Sequence, residues 1–445
     1  MEIPGRNGLD EQSQTDGRSH EAAQRETEPH VGRITVGAFG TGYNAGVKRR
    51  IFLTGLSGWA IAGLSGARET APKRVVVIGG GIVGAGIAYR LARRGVEVTV
   101  LERDRPAAGA TGQSFAWLNA HYSKQPFHYH ELNRLGISAW HALEHEAGGA
   151  VDIQWSGAVE WYPQGSNAEE MIRLIPRLQA WGHPVRPIAA EEIRRLEPGV
   201  VSGPVGAAAF AECDGMLDPV RAASWLLEAA RKAGAHIVYP SRVTGFQVRE
   251  RRVRAVLTAG DEIAADAVVI AAGVDAADLC AELGSRIRLV PAPGLLVHTA
   301  PLPRLVSRVV VAEKAHLKQY ADGRVVLGDD FGPPKTADHA QLTGARDFPS
   351  DEIRRIHAQR LVRQAREYLP GVSEASIERL SLGWRPMPAD GLPVIGFLGS
   401  CPNAYVAVTH SGVTLAALLG QLVSVEMLDG VRVERLDAYR PARFA

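Results

Sequence analysis

The sequence predicts an α/β protein whose parallel sheet opens at Lys73. Three observations carry that prediction. The run Arg74-Val75-Val76-Val77-Ile78 is β-branched almost throughout, as a strand buried on both faces requires. It runs directly into Gly79-Gly80-Gly81-Ile82-Val83-Gly84, a G-x-G-x-x-G turn. A second β-rich run, Val96 to Leu101, follows a helical segment and ends on Glu102. Together they describe a Rossmann-like βαβ unit, in which each part has a physical task. Gly79 allows the tight turn, Gly81 lets backbone approach a pyrophosphate, and Gly84 permits close packing of helix on strand. The helix opened by Ile82 and Val83 offers free N–H groups and a positive dipole end to phosphates, and Gly95 stops it. Glu102, eighteen residues past Gly84, is placed to accept hydrogen bonds from a ribose 2′-OH and would repel the 2′-phosphate of NADP. A lone G-x-G-x-x-G is weak; strand, glycines, helix, second strand and acid in agreement are not.

Length and composition set the bounds. The 445 residues allow two or three domains with ample core. With 46% apolar and 22% charged residues, wholesale disorder is excluded. A net charge of +2 lacks the basic excess of a nucleic-acid binder. Cys213, Cys280 and Cys401 are too few and too scattered for a disulfide framework or a four-cysteine zinc site. Glycine is in excess, 48 residues or about 11% where roughly 7% is usual.

Residues 1–72 read as an extension to the folded chain. Residues 1–46 are polar and aperiodic, and are expected to be disordered. Lys48-Arg49-Arg50-Ile51-Phe52-Leu53 and the small-residue apolar run to Ala67 resemble a twin-arginine signal, residues 48–67, with translation expected to start near Val47. That reading implies a periplasmic or exported protein. The alternative is a basic linker before a buried helix, in a cytoplasmic protein. The run is too short and glycine-rich for a stable membrane span.

Further motifs follow in order. Ala108-Gly109-Ala110-Thr111-Gly112-Gln113-Ser114 suits a loop wrapped round a phosphate or an aromatic ring system. Val268-Val269-Ile270-Ala271-Ala272-Gly273 is a buried strand ending in small residues, where backbone passes close to a ligand. Near the C-terminus stand Trp384-Arg385-Pro386-Met387-Pro388-Ala389-Asp390-Gly391-Leu392-Pro393-Val394-Ile395-Gly396 and His410-Ser411-Gly412-Val413-Thr414-Leu415. With these five motifs in this order, residues 73–440 resemble the FAD-dependent D-amino-acid oxidase family, which includes glycine oxidase, sarcosine oxidase and D-amino-acid dehydrogenase. The resemblance implies a Rossmann-like FAD-binding domain (73–120, 213–290 and 376–445) interleaved with a mixed-sheet α+β substrate domain (121–212 and 291–375).

The resemblance also implies roles. Gly79, Gly81, Ile82, Val83, Gly84, Glu102 and Arg103 would hold the dinucleotide, and Thr111 and Ser114 would contact pyrophosphate or flavin. The backbone of Val243 would contact adenine, Ala272 and Gly273 would border the pyrophosphate, and Gly412, Val413 and Thr414 would face the flavin N1/C2=O edge. Gln113 and Ser114 stand where some relatives carry a flavin-linking histidine, so FAD is expected to be non-covalent. Arg385 matches the carboxylate-binding arginine of the family; an ion pair with Asp390 is the competing reading. His410 precedes the flavin-facing helix, near the ring or capping the turn. The implied activity is oxidation of the C–N bond of a small amino acid or secondary amine by hydride transfer to flavin N5, with hydrolysis of the imine to an oxo acid or aldehyde. The electron acceptor is oxygen or a quinone-linked carrier. A 2-hydroxy-acid dehydrogenase of related fold is the alternative.

Three other features compete for attention. His316, Lys318 and Tyr320 alternate on one strand, lining a pocket or facing solvent. His141-Ala142-Leu143-Glu144-His145 matches the H-x-x-E-H of some zinc hydrolases, yet no third ligand is apparent. Neither that motif nor His121, His128 and His130 is read as a metal site, and no metal is expected.

Overall fold

The computed structural model describes residues 71–122, 124–329, 337–342 and 347–444. The expected signal at 48–67 and the extension through residue 70 lie outside them. Two large sheets dominate. The first has six strands in the order Val394–Phe397, Ala404–Val408, Ala267–Ile270, Arg74–Ile78, Glu97–Leu101, His236–Val238. Its last five are parallel, and Val394–Phe397 runs antiparallel at the edge.

Period-two side-chain alternation explains how this sheet builds core on both faces. Val75, Val77, Val98, Val100, Val269, Tyr405 and Ala407 face one apolar cluster. Val76, Ile78, Val268, Ile270, Ala404, Val406 and Val408 face the other. Helices Ile82–Arg93, Phe127–Glu146, Pro219–Lys232 and Gly412–Asp429 cover the first face. The three-stranded sheet Val243–Arg249, Arg252–Thr258 and Glu262–Ala264 covers the second with helix Ala276–Glu282. Glu250 and Arg251 form the hairpin tip at positive φ (53° and 58°), which makes the arginine-rich run around them a surface turn.

Helix Gly412–Asp429 is, among the described residues, the one long and apolar enough to cross a membrane. It is instead the central core helix, packed where glycines remove every side chain in the way. A Cβ on Gly86 would lie 2.6 Å from the Ala416 carbonyl oxygen, one on Gly420 2.4 Å from that of Gly86, and one on Gly136 2.5 Å from that of Thr414.

The second sheet has eight strands, Ile377–Trp384, Pro293–Pro301, Arg324–Asp329, Ala315–Gln319, Val309–Ala312, Ala158–Tyr162, Ala207–Ala211 and Val185–Pro187. It is mixed, since Val309–Ala312 runs parallel to Ala158–Tyr162 among antiparallel neighbours. Helix Asp351–Tyr368, capped by the Ser350 hydroxyl accepting from the Ile353 N–H (3.2 Å), buries Leu361, Val362 and Ala365 against it.

Two segments sit on a different side of the expected divisions. Ile377–Trp384, expected with the C-terminal cofactor segment, zips along Pro293–Pro301 from Trp384↔Pro293 to Ile377↔Thr299 and belongs to the eight-stranded sheet. Helix Phe127–Glu146, expected in the substrate domain, packs on Gly412–Asp429, where Trp140 Nε1 donates to the Val413 carbonyl (2.7 Å). Neither assignment follows from periodicity, because each element has an apolar face that suits either core.

Gly420→Ala separates propensity from packing. Helix propensity alone would stabilise by about 1 kcal/mol. The Gly86 contact instead predicts a loss of about 1–3 kcal/mol through overpacking. A thermal melt of the flavin-loaded protein is expected to show a lower Tm; a higher one would refute the packing argument.

Candidate active site

The C-terminal ends of the parallel strands open on a cleft of about 370 Å³. Its floor is the turn after Arg74–Ile78. Gly79 has φ +112°, and a Cβ there would sit 2.5 Å from the Ala271 carbonyl oxygen, so only glycine closes this turn. Gly84 does not line the cleft: it lies behind the turn, where a Cβ would be 2.0 Å from the Gly79 oxygen. Thr111 Oγ1 accepts from the Ile82 N–H (3.0 Å) and ties the 108–114 loop to the start of the first helix. Glu102 is fixed by two backbone donors, Gly80 N–H (2.8 Å) and Asp104 N–H (3.0 Å), and presents its carboxylate at the strand end.

Gly81, Ile82, Val83, Glu102, Arg103, Thr111, Ser114, Val243, Ala272, Gly273, His410, Gly412 and Val413 all border this cleft, with Gly79. Arg103 reaches it as part of the wall, because its guanidinium is engaged by Asp275 and Asp104. Ser241, Arg242, Asp278 and Glu282 also line it. They lie in turns and on a short helix, without a motif that would have flagged them.

Helix Gly412–Asp429 also starts on the cleft, with no side chain capping its N-terminus. A Cβ on Gly412 would be 3.3 Å from Val83 Cγ2, so the starts of both helices meet at one point of the cleft. Two aligned N-termini concentrate partial positive charge there.

A second cavity of about 240 Å³ abuts the first and shares Ala110, Ser114, Trp384, Pro386, His410 and Val413 with it. Arg385 and Thr414 border this one rather than the cleft. Three glycines on neighbouring strands clear its wall. A Cβ on Gly294 would be 2.9 Å from the Arg385 guanidinium, one on Gly383 2.8 Å from Gln113 Cβ, and one on Gly328 2.0 Å from His316 Nε2. Asp390, the acid beside which Arg385 was weighed, is taken by Arg443 through contacts of 2.6 and 3.1 Å. No side-chain hydrogen bond holds the Arg385 guanidinium among the described residues. Asp329, also in the wall, is gripped by Arg360 (2.6 and 3.1 Å).

The remaining lining charge is positive or neutral. Burial lowers the Lys124 amine to about 8 against the opposing pull of Asp214. Burial, then Arg385 and Lys318, hold the His316 imidazole neutral, at about 3. The enclosing protein and the charges of Lys124 and Arg385 hold His410, whose ring is exposed to the cavities, below the usual imidazole value.

Lys318 is not a lining residue. It is 0% exposed, donates to the carbonyls of Ala116 (3.1 Å) and Leu217 (3.0 Å), and lies under the rings of Tyr320 and Phe115. Positive charge in the cavity wall comes from Lys124 and Arg385. The H-x-x-E-H motif is structural. Glu144 accepts from the Ile153 N–H (3.0 Å) and Trp155 Nε1 (2.5 Å), and His141 stacks on Trp155 at 3.7 Å. Those contacts consume the groups a zinc hydrolase would need.

Buried polar atoms around both cavities lack protein partners: Trp384 Nε1, Gln113 Oε1 and Asn119 Oδ1. Native interiors seldom leave such groups unpaired. With the helix starts, the glycine turn and Glu102, they fit a dinucleotide whose phosphates would lie at the start of Ile82–Arg93 and whose ring system would reach the start of Gly412–Asp429 and the second cavity.

Comparison with known proteins agrees. Residues 74–425 match the family described as FAD dependent oxidoreductase. Glycine oxidase from Bacillus licheniformis is 26% identical over 375 residues, covering 83% of this chain and 96% of that one. Among solved structures, L-proline dehydrogenase from P. horikoshii aligns with a TM-score of 0.73 at 25% identity, over 84% of this chain and 98% of that one. Glycine oxidase from Geobacillus kaustophilus aligns at 0.74 and 24%, over 83% and 99%, a likeness of fold. The chain therefore belongs to the D-amino-acid oxidase family of FAD-dependent oxidoreductases.

Proposed function

We propose that this enzyme oxidises the C–N bond of a small amino acid or secondary amine that carries a carboxylate. The observation that carries the reading is the Arg385 guanidinium, free of any acid among the described residues and bordering a cavity that opens onto the cofactor cleft. A planar guanidinium receives a carboxylate through two parallel hydrogen bonds, fixing both position and orientation. Gly294 leaves room for the guanidinium on the sheet and Gly383, paired with it, for Gln113, while Asp329 is kept from competing by Arg360. Lys124 adds a second positive charge to the same wall. When bound, FAD supplies the redox chemistry by accepting hydride from the carbon bearing the nitrogen. The chain's part is to orient that carbon, hold the carboxylate and shield the reaction from water. Neutral His316 and His410 suit this task, since neither adds a charge that would repel an ammonium or compete for the carboxylate. Names of the similar proteins, glycine oxidase and L-proline dehydrogenase, support a small amino-acid substrate. FAD is held without a covalent bond in this reading: Gln113 and Ser114 offer no imidazole, and Cys280 and Cys401 are buried in the apolar cluster behind the sheet.

Three measurements test the proposal. Anaerobic mixing with a panel of glycine, sarcosine, proline, D-amino acids and 2-hydroxy acids is expected to bleach the flavin with an amine substrate. Bleaching by hydroxy acids alone would overturn the reading. Arg385→Met is expected to cost about 2–4 kcal/mol of carboxylate binding, a rise in KM of roughly 30- to 700-fold. Gly294→Ala, which leaves the charge but displaces it, should raise KM about ten-fold or more. Acid precipitation should leave the yellow flavin in the supernatant; colour retained on the polypeptide would exclude non-covalent binding.

A further inference from the structure

A separate cluster of polar side chains lies buried outside both cavities. His121, His183 and Asp214 are 4%, 3% and 0% exposed, and one potential ligand atom from each lies within 4.8 Å of the others. They arrive from three distant stretches: the loop after Trp117–Leu118, the turn that ends helix Ser166–Ala180, and the residue before strand Gly215–Met216. Both ring nitrogens of His183 and Asp214 Oδ1 have no hydrogen-bond partner, and His121 Nδ1 has only a long contact of 3.5 Å to Asp214 Oδ2. Such a concentration of unpaired groups in a dry interior calls for an explanation.

Their other atoms are held in a manner that aims the free ones inward. Trp117 Nε1 donates to Asp214 Oδ2 (2.6 Å), leaving Oδ1 open. His121 Nε2 pairs with Glu160 Oε2 (3.4 Å), and the Tyr162 hydroxyl donates to Glu160 Oε1 (2.7 Å). A carboxylate on the ring nitrogen opposite the free one is how proteins orient metal-binding imidazoles. A protonated His121 bridging Asp214 and Glu160 would account for His121. It would leave His183 with two buried, unpartnered nitrogens, which a bound ion or a buried water would satisfy.

We propose that His121, His183 and Asp214 form a binding site for a divalent transition-metal ion of the zinc class. Two imidazoles and one carboxylate are a recurrent zinc donor set, and a dication offsets the buried charges of Asp214 and Glu160 together. Zinc bonds of about 2.0–2.2 Å require the three groups to draw in slightly from their present spacing. The ion would brace the loop that carries Tyr122 and Lys124 to the second cavity, so its role is positioning rather than chemical. Of the three histidines close in sequence, only His121 enters the site. His128 bonds the Tyr439 hydroxyl (2.8 Å), and His130 Nδ1 bonds the Ala120 carbonyl (2.6 Å). The proposal does not depend on the substrate assigned above.

The test uses flavin-loaded protein stripped with EDTA, dialysed into metal-free buffer and titrated calorimetrically with Zn²⁺. One equivalent per chain is expected to bind, and the protein as purified should release a matching amount on elemental analysis after acid treatment. His183→Ala, with unchanged flavin content and circular dichroism, should weaken Zn²⁺ binding about 100-fold or more. Glu160→Gln should weaken it roughly 10- to 100-fold. Absence of stoichiometric binding would overturn the site, as would full-affinity binding by His183→Ala, which would place the ion on the surface.

Discussion

The close approach of helices Ile82–Arg93 and Gly412–Asp429 is the contact on which the rest of the active site depends. It exists because Gly86 and Gly420 leave backbone oxygen where a side chain would stand. Bringing the axes that near places both helix starts at the same end of the parallel sheet, on the cleft. Gly412–Asp429 starts without a side-chain cap and Ile82–Arg93 has only Thr111 on its first N–H, and free N–H groups at a helix start are costly unless water or a ligand satisfies them. The cleft thus trades local stability for anion affinity, which is what a pyrophosphate-containing cofactor requires.

Helix Phe127–Glu146 makes the arrangement rigid. Trp140 Nε1 bonds the Val413 carbonyl, the Tyr129 and Ser411 hydroxyls lie 2.7 Å apart, and Gly136 admits the Thr414 carbonyl. Each contact falls on the first residues of the cofactor-facing helix rather than on its far end. The eight-stranded sheet is joined to the same point through Lys318. Its ammonium, wholly buried, holds the Ala116 and Leu217 carbonyls and so fixes the strand that begins at Trp117. Burial strongly opposes the charged form of this amine, against the pull of Asp218, and carbonyl dipoles and aromatic faces hold it in place.

The sequence revealed the cofactor half far better than the substrate half. The glycines at 79, 81 and 84, the acid at 102 and the small residues at 272–273 answer backbone demands at the ends of three neighbouring parallel strands, and each demand is written in a short contiguous stretch. The second cavity is assembled from residues 110–124, 294–296, 316, 329 and 383–386, which only strand pairing brings together. Arg385 was readable because it sits inside a motif, as does Gln113; Lys124 and Tyr122 carried no comparable pattern. Lys318 shows the limit most sharply. Alternation placed it correctly on a face with His316 and Tyr320, but whether that face meets a cavity or the packed underside of a loop is a tertiary matter. The two reassigned elements, Ile377–Trp384 and Phe127–Glu146, failed to declare themselves for the same reason, since burial pattern records that a face is covered and not what covers it.

Trp117 connects the two halves of the problem. Its carbonyl accepts from Thr414 Oγ1 (3.3 Å), its ring borders the second cavity, and its indole N–H is spent on Asp214. A displacement of Asp214 therefore moves the indole, and with it a wall of the cavity and a contact to the cofactor-facing helix. The carboxylate has 0% exposure and burial drives it toward its neutral form, opposed chiefly by His121. A polar residue so expensive to bury is retained in a position where an apolar one would pack without cost only if its geometry matters elsewhere. One place where it matters is the indole, and through the indole the wall of the second cavity.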